Sequence, residues 1–444
     1  MIPLLEAGVT LATTRGFDYL MKQGSKAQQA KHLLMPPKAE GKAELALAAL
    51  AIAPQLVNVF GPSPVVERFW AMSLDQLYWL YKARPYLEGL SMAALAGLAY
   101  RQRTLKTGGK AMQVATQAIM ALRFGAQMVS APTAFAADAA GHLVVTSREL
   151  GRLLKPDDLV LGLYLNGEAR CYPLEVLKRP HLLHDSVGGI PVVPTYCEHS
   201  HAAVAYRDEW RGERLELNVA ASPNGNVAFY EGKSDGMIHQ LEGAIGAGPN
   251  AGAILQTFPL AFTTWQAWRT LHPDTTGIWF EQGPAGGAVV AMMKGLEALD
   301  QRGRQPLFKV RGGVDPRLPA KEPVFGIRVK GRALAFTREH LRANPVQELE
   351  LGGEPVVVLY DEQLDVAACY ARTLGFKAAR HGLAVAEDTS GRLWQVSGVP
   401  SDDRDADRLR PVAFAIDKVR WYAWSHFNPG TALAAPTKAV SVRA

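Results

Sequence analysis

The stretch Gly162-Leu-Tyr-Leu-Asn-Gly-Glu-Ala169, followed by Gly188-Gly-Ile-Pro-Val-Val193, decides the fold because the chain contains it twice. It recurs as Gly326-Ile-Arg-Val-Lys-Gly-Arg-Ala333, followed by Gly352-Gly-Glu-Pro-Val-Val357, with the same spacing between its two parts. A repeat of this kind must be recognised before any fold is assigned. Two copies are too few for a solenoid. We therefore expect two similar lobes packed on each other, with any site in one lobe or at the seam.

Each copy also ends in a Trp-x-x-Trp stretch, Trp265 to Trp268 in the first and Trp421 to Trp424 in the second. These stretches predict a helix whose tryptophans pack in the core. In each copy, the segment between the first glycine and the Trp-x-x-Trp stretch contains short runs rich in β-branched and aromatic residues. These runs are separated by Gly, Pro and Asn, a pattern that is typical of strands. Asn166-Gly167 is a hairpin-turn signal between the first two runs. The predicted strands are 159–165, 170–173, 192–197, 202–206, 215–220 and 227–230, then 324–329, 332–336 and 356–360.

The chain of 444 residues has room for two or three domains with proper cores. The pattern predicts an α+β protein with a helical, basic N-terminal region at 1–145. A first β-rich repeat at 156–280 follows, then a Gly-rich and charged connector at 281–314 with one helix at 288–299. The second β-rich repeat occupies 315–433, and 434–444 form a tail.

The N-terminal region combines helical, Ala/Leu-rich patterning with most of the basic clusters in a chain of net charge +6. Lysines and arginines beside apolar stretches favour a membrane surface, and no DNA- or RNA-binding motif accompanies them, which sets nucleic acid aside. Residues 45–66 lack charge and are long enough to span a bilayer, but Pro54, Gln55 and Asn58 dilute them. We expect helices that lie in the membrane interface or bind a membrane-protein partner. A soluble helical domain is the alternative, and the side of the membrane stays open.

The β-rich part resembles a known family. The motifs are Asn166-Gly167 through Pro173, Asp185 through Pro191, Thr195-Tyr196-Cys197, Asn224-Gly-Asn226 and Asp315-Pro-Arg-Leu-Pro319. In this order they are similar to the bacterial and archaeal family of domain of unknown function 3179, over about residues 156–433. The resemblance implies a shared fold and a site near these motifs, and it implies no established activity.

The chain departs from that family where Thr-Tyr-Cys-x-x-Cys-Gly is usual. Here the sequence is Thr195-Tyr-Cys-Glu-His-Ser-His201, so Ser200 replaces the second cysteine and a dithiol cycle between these positions is impossible. If the segment is extended, Cys197, His199 and His201 share one face because strand side chains alternate. A thiolate and two imidazoles are a partial ligand set for Zn, Cu or Fe.

Two more histidines precede this strand. His181 and His184 have the i, i+3 spacing of a helix, and we expect one of them to complete the metal site. Asp185 and Glu198 are candidates to hold the other ring nitrogen of a ligand histidine. Two alternatives stay open: Cys197 can be a small buried hydrophobic residue with solvated histidines nearby, or the nucleophile of a Cys/His pair.

The leading functional hypothesis is a metal-binding protein associated with a membrane. Whether it also has redox activity is left open. The alternative is a non-catalytic accessory or scaffold subunit that docks on a larger membrane complex through its N-terminal helices. The sequence contains no Gly-x-Ser-x-Gly, no His-Glu-x-x-His and no Rossmann fingerprint, so local motifs do not support a hydrolase or a nicotinamide enzyme. Whether the protein is an enzyme is left open at this point.

Overall fold

The computed structural model describes residues 40–60, 67–104, 114, 116–121, 135, 143–402 and 408–434. Two compact units divide the chain: residues 1–55 with 86–124, and residues 56–85 with 125–444. The first is helical and the second is rich in β-sheet, which confirms the predicted α+β class. Two of the three crossings between the units fall beside a helical proline, Pro54 or Pro85, where the ring removes a main-chain hydrogen bond of the helix.

The helices have the following bounds: α1 Glu40–Phe60, α2 Leu74–Thr104, α3 Ser147–Leu153, α4 Leu174–Leu177, α5 Trp265–Leu271, α6 Gly283–Arg302, α7 Arg338–Ala343 and α8 Trp421–Phe427.

The strands have these bounds: β1 Leu143–Thr146, β2 Leu159–Leu165, β3 Glu168–Pro173, β4 Asp185–Val187, β5 Ile190–Cys197, β6 Ala202–Arg207, β7 Leu217–Ala221, β8 Ala228–Glu231, β9 Gly236–His239, β10 Ile245–Ala247, β11 Thr257–Phe258, β12 Ala261–Thr264, β13 Thr276–Trp279, β14 Pro323–Val329, β15 Arg332–Thr337, β16 Val346–Leu351, β17 Glu354–Asp361, β18 Val366–Ala371, β19 Phe376–His381, β20 Ala384–Asp388, β21 Leu393–Gln395, β22 Phe414–Arg420 and β23 Ala432–Leu433.

In the helical unit, small residues let α1 and α2 pack closely. Ala51 and Ala94 are buried at their contact, and the Ser91 hydroxyl donates to the Ala51 carbonyl over 2.7 Å. Arg101 pairs with Glu44 at 2.8 Å beside this contact. Among the described residues, no helix has the length and apolar character needed to cross a membrane. Lys22, Lys26, Lys31 and Lys38, which the membrane hypothesis uses, lie outside the described residues.

Two sheets of the β-rich unit have the same strand order. The order β13-β3-β2-β12 in one corresponds to β23-β15-β14-β22 in the other. In both sheets, the strand that follows the Trp-x-x-Trp helix forms a parallel pair, β13 with β3 and β23 with β15. The other pairs are antiparallel. The hairpin residues Asn166 and Lys330 both adopt a left-handed conformation, with φ of 46° and 44°.

Close glycine–tryptophan contacts recur in the two sheets. A Cβ on Gly162 would lie 2.2 Å from the ring of Trp268, and a Cβ on Gly326 would lie 2.5 Å from the ring of Trp424. Each indole N–H then donates to a threonine hydroxyl, Trp268 at 2.9 Å and Trp424 at 3.0 Å. Only glycine fits under these rings, so the repeated sequence motif is explained by packing of α5 on β2 and of α8 on β14.

The segment at 67–85 packs within the β-rich unit, although it lies inside the predicted N-terminal region 1–145. Tyr81 stacks on Tyr230 with ring centroids 4.1 Å apart, and Tyr78 and Lys82 both bond Asp235 at 3.1 Å. Leu74 and Leu77 join the core between this segment and strands β7 to β10. The compact β-rich unit therefore begins earlier in sequence than the repeats do.

The predicted strands at 159–165, 192–197 and 202–206 agree closely with β2, β5 and β6. The connector differs, because most of 281–302 is a helix and not only 288–299. Pro284 at its first turn suits a helix start, since the missing N–H would be unpaired there anyway. This longer helix α6 lies over the candidate site.

Candidate metal site

The candidate residues surround a turn at 198–201, which joins β5 to β6. Strand β5 ends at Cys197, which pairs with Ala202, the first residue of β6. His201 has a left-handed backbone, with φ of 53°, at the position where a tight turn needs one. The prediction that Cys197, His199 and His201 lie on one strand face is therefore wrong, because the strand ends at Cys197 and residues 198–201 form the turn.

This turn is buried, whereas connecting segments normally lie at the surface. Glu198 and Ser200 are completely buried and His199 is 5% exposed. The covering groups come from α6 and from parts of the second lobe that are remote in sequence. Burying three polar side chains in one turn costs free energy unless each finds a partner. Their partners therefore decide what the site can do.

Ser200 is fully satisfied by the core of the first lobe. Its hydroxyl accepts a hydrogen bond from the Asn226 amide at 2.9 Å, and the same amide donates to Gln240 at 2.8 Å. Gln240 in turn donates to the Thr195 hydroxyl at 2.9 Å. Cys197 lies beside this network, with its sulfur 3.9 Å from the Gly225 carbonyl, and burial raises the pKa of its thiol. Cys197 is thus a protonated thiol in an apolar core.

His201 is held by an arginine. The Nη2 of Arg420 lies 3.2 Å from Nε2 of His201, and a guanidinium can only donate, so this Nε2 is an acceptor and the imidazole is neutral. Burial, followed by repulsion from Arg420, lowers the pKa of His201 to about 3. Arg420 also forms an ion pair with Asp300 of α6, and Lys321 reaches Asp300 at 3.0 Å. The pKa of Asp300 lies below its ordinary value. Burial alone would raise this pKa, but the positive charges of Arg420 and Lys321 lower it by more.

His181 and His199 each have one ring nitrogen that the fold leaves without a partner among the described residues. His181 stacks on Phe135 with centroids 4.5 Å apart, and His199 meets Phe308 edge-on at 4.4 Å. Both Nδ1 atoms are buried and find no hydrogen-bond partner among the described residues. Burial lowers the pKa of His181 to about 4 and that of His199 to about 3. Charge repulsion from His181 also lowers the pKa of His199. Both imidazoles are therefore neutral at pH 7, with a nitrogen available.

Glu198 lies between these histidines in sequence and is equally unsatisfied. Neither of its carboxyl oxygens has a hydrogen-bond partner in the described part of the chain. Burial, followed by repulsion from Glu297 on α6, raises the pKa of Glu198 to about 8, against the opposing attraction of Lys178 and Arg420. Glu297 is itself paired with Lys178 at 3.1 Å. At pH 7 the Glu198 carboxyl is mostly protonated.

His184 does not join this site. Its Nδ1 lies 2.7 Å from Asp208, which also accepts from Arg214 at 3.0 Å, on the wall of a separate surface cavity of about 380 Å³. Asp185 likewise bonds elsewhere, to the Tyr172 hydroxyl at 2.8 Å. His181 and His184 are not on a helix: His181 has a left-handed backbone with φ of 71°, and Leu182 bridges to Thr195.

Of the predicted ligands, the structure thus brings His181 and His199 near each other, and it gives Cys197, His201 and His184 other partners. The Glu198 carboxyl faces Glu297, Lys178 and Arg420. Within the described ranges, no three His, Cys, Asp or Glu side chains are placed so that they already form a metal-binding group. The residues that surround the site and that sequence reasoning missed are Asp300, Glu297 and Arg420. The sequence signal for Glu297 and Asp300 was their i, i+3 spacing at the C-terminal end of the connector helix, which the prediction ended at residue 299.

Comparison with known proteins places the chain in a family. The family model described as "Protein of unknown function (DUF3179)" matches residues 142–431. The chain belongs to this family. The match confirms the resemblance read from the motifs, and it contains the 198–201 turn and its covering helix α6. No curated protein and no solved structure matches the chain. For this DUF3179 protein, function must therefore be argued from the site itself.

Proposed function

We propose that this DUF3179 protein binds a transition metal ion at the 198–201 turn, through His181, His199 and Glu198. The observation that carries the proposal is a set of buried polar atoms without hydrogen-bond partners: Nδ1 of His181, Nδ1 of His199 and both carboxyl oxygens of Glu198. Nearly all buried polar groups in proteins are hydrogen-bonded. Unpaired buried atoms on two neighbouring histidines and on an adjoining turn residue favour a ligand that supplies the missing partner.

The protonation states favour a cation as that ligand. Metal ions bind neutral imidazole, and burial keeps both histidines neutral far below pH 7. A metal ion would also replace the proton on Glu198, so binding should release protons. Two imidazoles and a carboxylate suit Zn, Cu or Fe. The proposal requires the Glu198 carboxyl to turn toward the imidazoles when the metal binds.

Redox activity depends on which metal occupies the site. Zinc has no redox chemistry, whereas iron or copper held by two imidazoles and a carboxylate can change oxidation state. Ser200 removes the alternative of a dithiol at this turn. Any redox role therefore rests on the metal and not on Cys197.

The test is a calorimetric titration of the metal-free full chain with Zn²⁺, Cu²⁺ and Fe²⁺, each taken separately. We expect one site per chain, and we expect His181→Gln and His199→Gln to weaken it at least about tenfold. His239→Gln is the matched control, because His239 is also buried, also has an unpaired Nδ1, and packs on Phe427 outside the site. Absence of binding, or equal losses in all three variants, would contradict the proposal.

We further propose that the protein attaches to a membrane surface. Support comes from exposed aromatic residues of the segment at 67–85: Phe69 is 71%, Trp70 60% and Trp79 68% exposed. Tryptophan and phenylalanine prefer the membrane–water interface, and basic residues add attraction to anionic lipid. The same exposed aromatics also favour the accessory-subunit alternative. Flotation of the purified chain with acidic liposomes, in the absence of any partner, distinguishes direct membrane attachment from docking on a membrane complex.

We also infer that the two lobes arose by duplication of one unit. Support comes from the shared strand order, the shared parallel pair and the recurring glycine–tryptophan contact. In the second lobe Asp361 occupies the position of Cys197, and its carboxylate accepts from the turn's own backbone N–H groups of Gln363 and Leu364. The Asp361 carboxylate is also paired with Arg380 at 3.0 Å, and we therefore place the proposed metal site in the first lobe alone.

A further inference from the structure

A surface cavity of about 500 Å³ lies between the C-terminal end of helix α6 and the start of the segment at 67–85. Three of the ten residues that line it are cations, Arg68, Arg304 and Lys309. The Lys309 N–H donates to the Glu67 carbonyl over 3.0 Å, which fixes the segment after α6 beside Arg68. The fold thus gathers basic residues from remote parts of the sequence around one cavity.

The protein does not neutralise the positive charge of this cavity. In the described part of the chain, no hydrogen bond, ion pair or ring contact involves any of the three cationic side chains, and all three residues are exposed. Asp300 is the sole acid among the described lining residues, and it is already paired with Arg420 and Lys321. Lys321 also donates to the Gly303 carbonyl at 2.9 Å, which offsets the negative end of helix α6. The cavity therefore favours an anionic ligand.

Exposed aromatic side chains adjoin these cations. Phe69 and Trp70 follow Arg68 directly in the chain, so their Cα atoms lie within about 4 and 8 Å of the Arg68 Cα. Their exposed fractions are 71% and 60%. A ligand that carries both a phosphate and hydrocarbon would match the cations and the aromatic rings together. A glycerol phosphate group has about ten non-hydrogen atoms and needs about 300 Å³, which fits the cavity.

We propose that this cavity binds the phosphate head group of an anionic phospholipid, with the acyl chains beside Phe69 and Trp70. The inference rests on the proposed membrane attachment and adds the class of lipid that the attached protein selects. Phosphate oxygens accept charge-assisted hydrogen bonds from arginine and lysine. Tryptophan and phenylalanine prefer the level of the membrane at which head groups meet acyl chains. The charge and the aromatic rings therefore favour the same ligand.

The test is a calorimetric titration of the metal-free full chain with dihexanoyl phosphatidic acid, a short-chain lipid used below the concentration at which it forms micelles. We expect Arg68→Gln and Lys309→Gln each to weaken binding about tenfold, because each loses a charge-assisted hydrogen bond to phosphate. Arg302→Gln is the matched control, since Arg302 is exposed at the same end of α6 and lies outside the lining. It should change the affinity less than about twofold, because salt screens a charge that makes no contact.

Two further probes separate the head group from the chains. Inorganic phosphate should bind at least about tenfold more weakly than the short-chain lipid, because it has no apolar surface to bury. Dihexanoyl phosphatidylcholine should also bind at least about tenfold more weakly, because its head group carries no net charge. Replacing Phe69 and Trp70 together by alanine should weaken binding of the lipid and leave the affinity for inorganic phosphate unchanged.

Flotation with acidic liposomes distinguishes failure of the head-group site from failure of membrane attachment. If the wild type and the double variant Arg68→Gln with Lys309→Gln float equally, the head-group site is refuted and attachment stands. If the wild type binds the short-chain lipid with the expected losses in the variants but does not float, attachment is refuted and the site is supported. Equal losses in Arg68→Gln and Arg302→Gln, or inorganic phosphate that binds as tightly as the lipid, would overturn the proposal.

Discussion

Replacement of Glu67 by glutamine should make the stability of the β-rich unit less sensitive to pH. Glu67 is 1% exposed; one carboxyl oxygen accepts the Ser222 N–H at 2.8 Å, and the other has no partner among the described residues. Burial raises the pKa of Glu67 from 4.5 to about 8, although the Ser222 hydrogen bond opposes the shift. The folded chain therefore keeps a proton that the unfolded chain releases between these two pH values.

The magnitude follows from linkage. A raised carboxyl pKa contributes stability that is complete below pH 4.5 and is lost as the pH rises toward 8. One proton changes the free energy of unfolding by about 1.4 kcal/mol per pH unit, so the wild type loses about 3 kcal/mol between pH 5 and 7.5 through this group. Glutamine does not titrate and still accepts from Ser222. Its buried N–H₂ lacks an acceptor, which costs about 1 kcal/mol. The variant should be slightly less stable at pH 5 and about 2 kcal/mol more stable at pH 7.5.

Urea unfolding followed by tryptophan fluorescence measures this difference. All nine tryptophans lie in the unit formed by 56–85 and 125–444, so the signal reports that unit alone. Other titrating groups are common to both proteins and cancel in the difference. Glu362→Gln, whose side chain is 67% exposed, is the matched control. A difference between Glu67→Gln and wild type that is constant from pH 5 to 7.5 would refute the reasoning.

Three further predictions concern the repeats, the turn and the N-terminal lysines. Gly162→Ala and Gly326→Ala should each destabilise the β-rich unit by a similar amount, about 3 kcal/mol, in urea unfolding, because the added Cβ meets a tryptophan ring. Gly287→Ala, with open space around it on α6, should be neutral or stabilising by about 1 kcal/mol. Ser200→Cys should form a disulfide with Cys197 on mild oxidation, seen as loss of two free thiols; four free thiols after oxidation would contradict this. Neutralising the N-terminal lysines should abolish most flotation with acidic liposomes, since each lysine contributes about 1 kcal/mol to binding an anionic membrane surface. These lysines are Lys22, Lys26, Lys31, Lys38 and Lys42. Unchanged flotation would count against a basic membrane-binding surface.

Local signals in the sequence predicted much of the sheet architecture. Asn166-Gly167 requires positive φ at both positions, and the β2–β3 hairpin turns there with φ of 46° and 88°. Gly162 and Gly326 marked the start of each copy, and a tryptophan ring covers each. Helix α6 was too short in prediction because the glycines at 283–287 interrupt its helical pattern, although the helix includes them.

The candidate site was harder to predict because its environment is built from remote parts of the chain. The spacing of Cys197 and His199 suggested a shared strand face, but whether β5 continues past Cys197 depends on the left-handed residue at 201. The ion pair of Asp300 with Arg420, which covers the turn, joins residues more than a hundred positions apart. No local pattern encodes such a contact. The density of histidines between residues 181 and 201 did not distinguish His181 from His184.

X-ray absorption at the zinc edge of the zinc-loaded, desalted full chain tests the central claim most directly, because it counts the ligand atoms. The account predicts nitrogen and oxygen neighbours at about 2.0–2.1 Å, multiple scattering from two imidazole rings, and no sulfur. His181→Gln should lower the imidazole count by one, and His239→Gln should leave it unchanged. A sulfur neighbour at about 2.3 Å would make Cys197 a ligand, and a chain that leaves the desalting column without zinc would have no such site; either result would contradict the account.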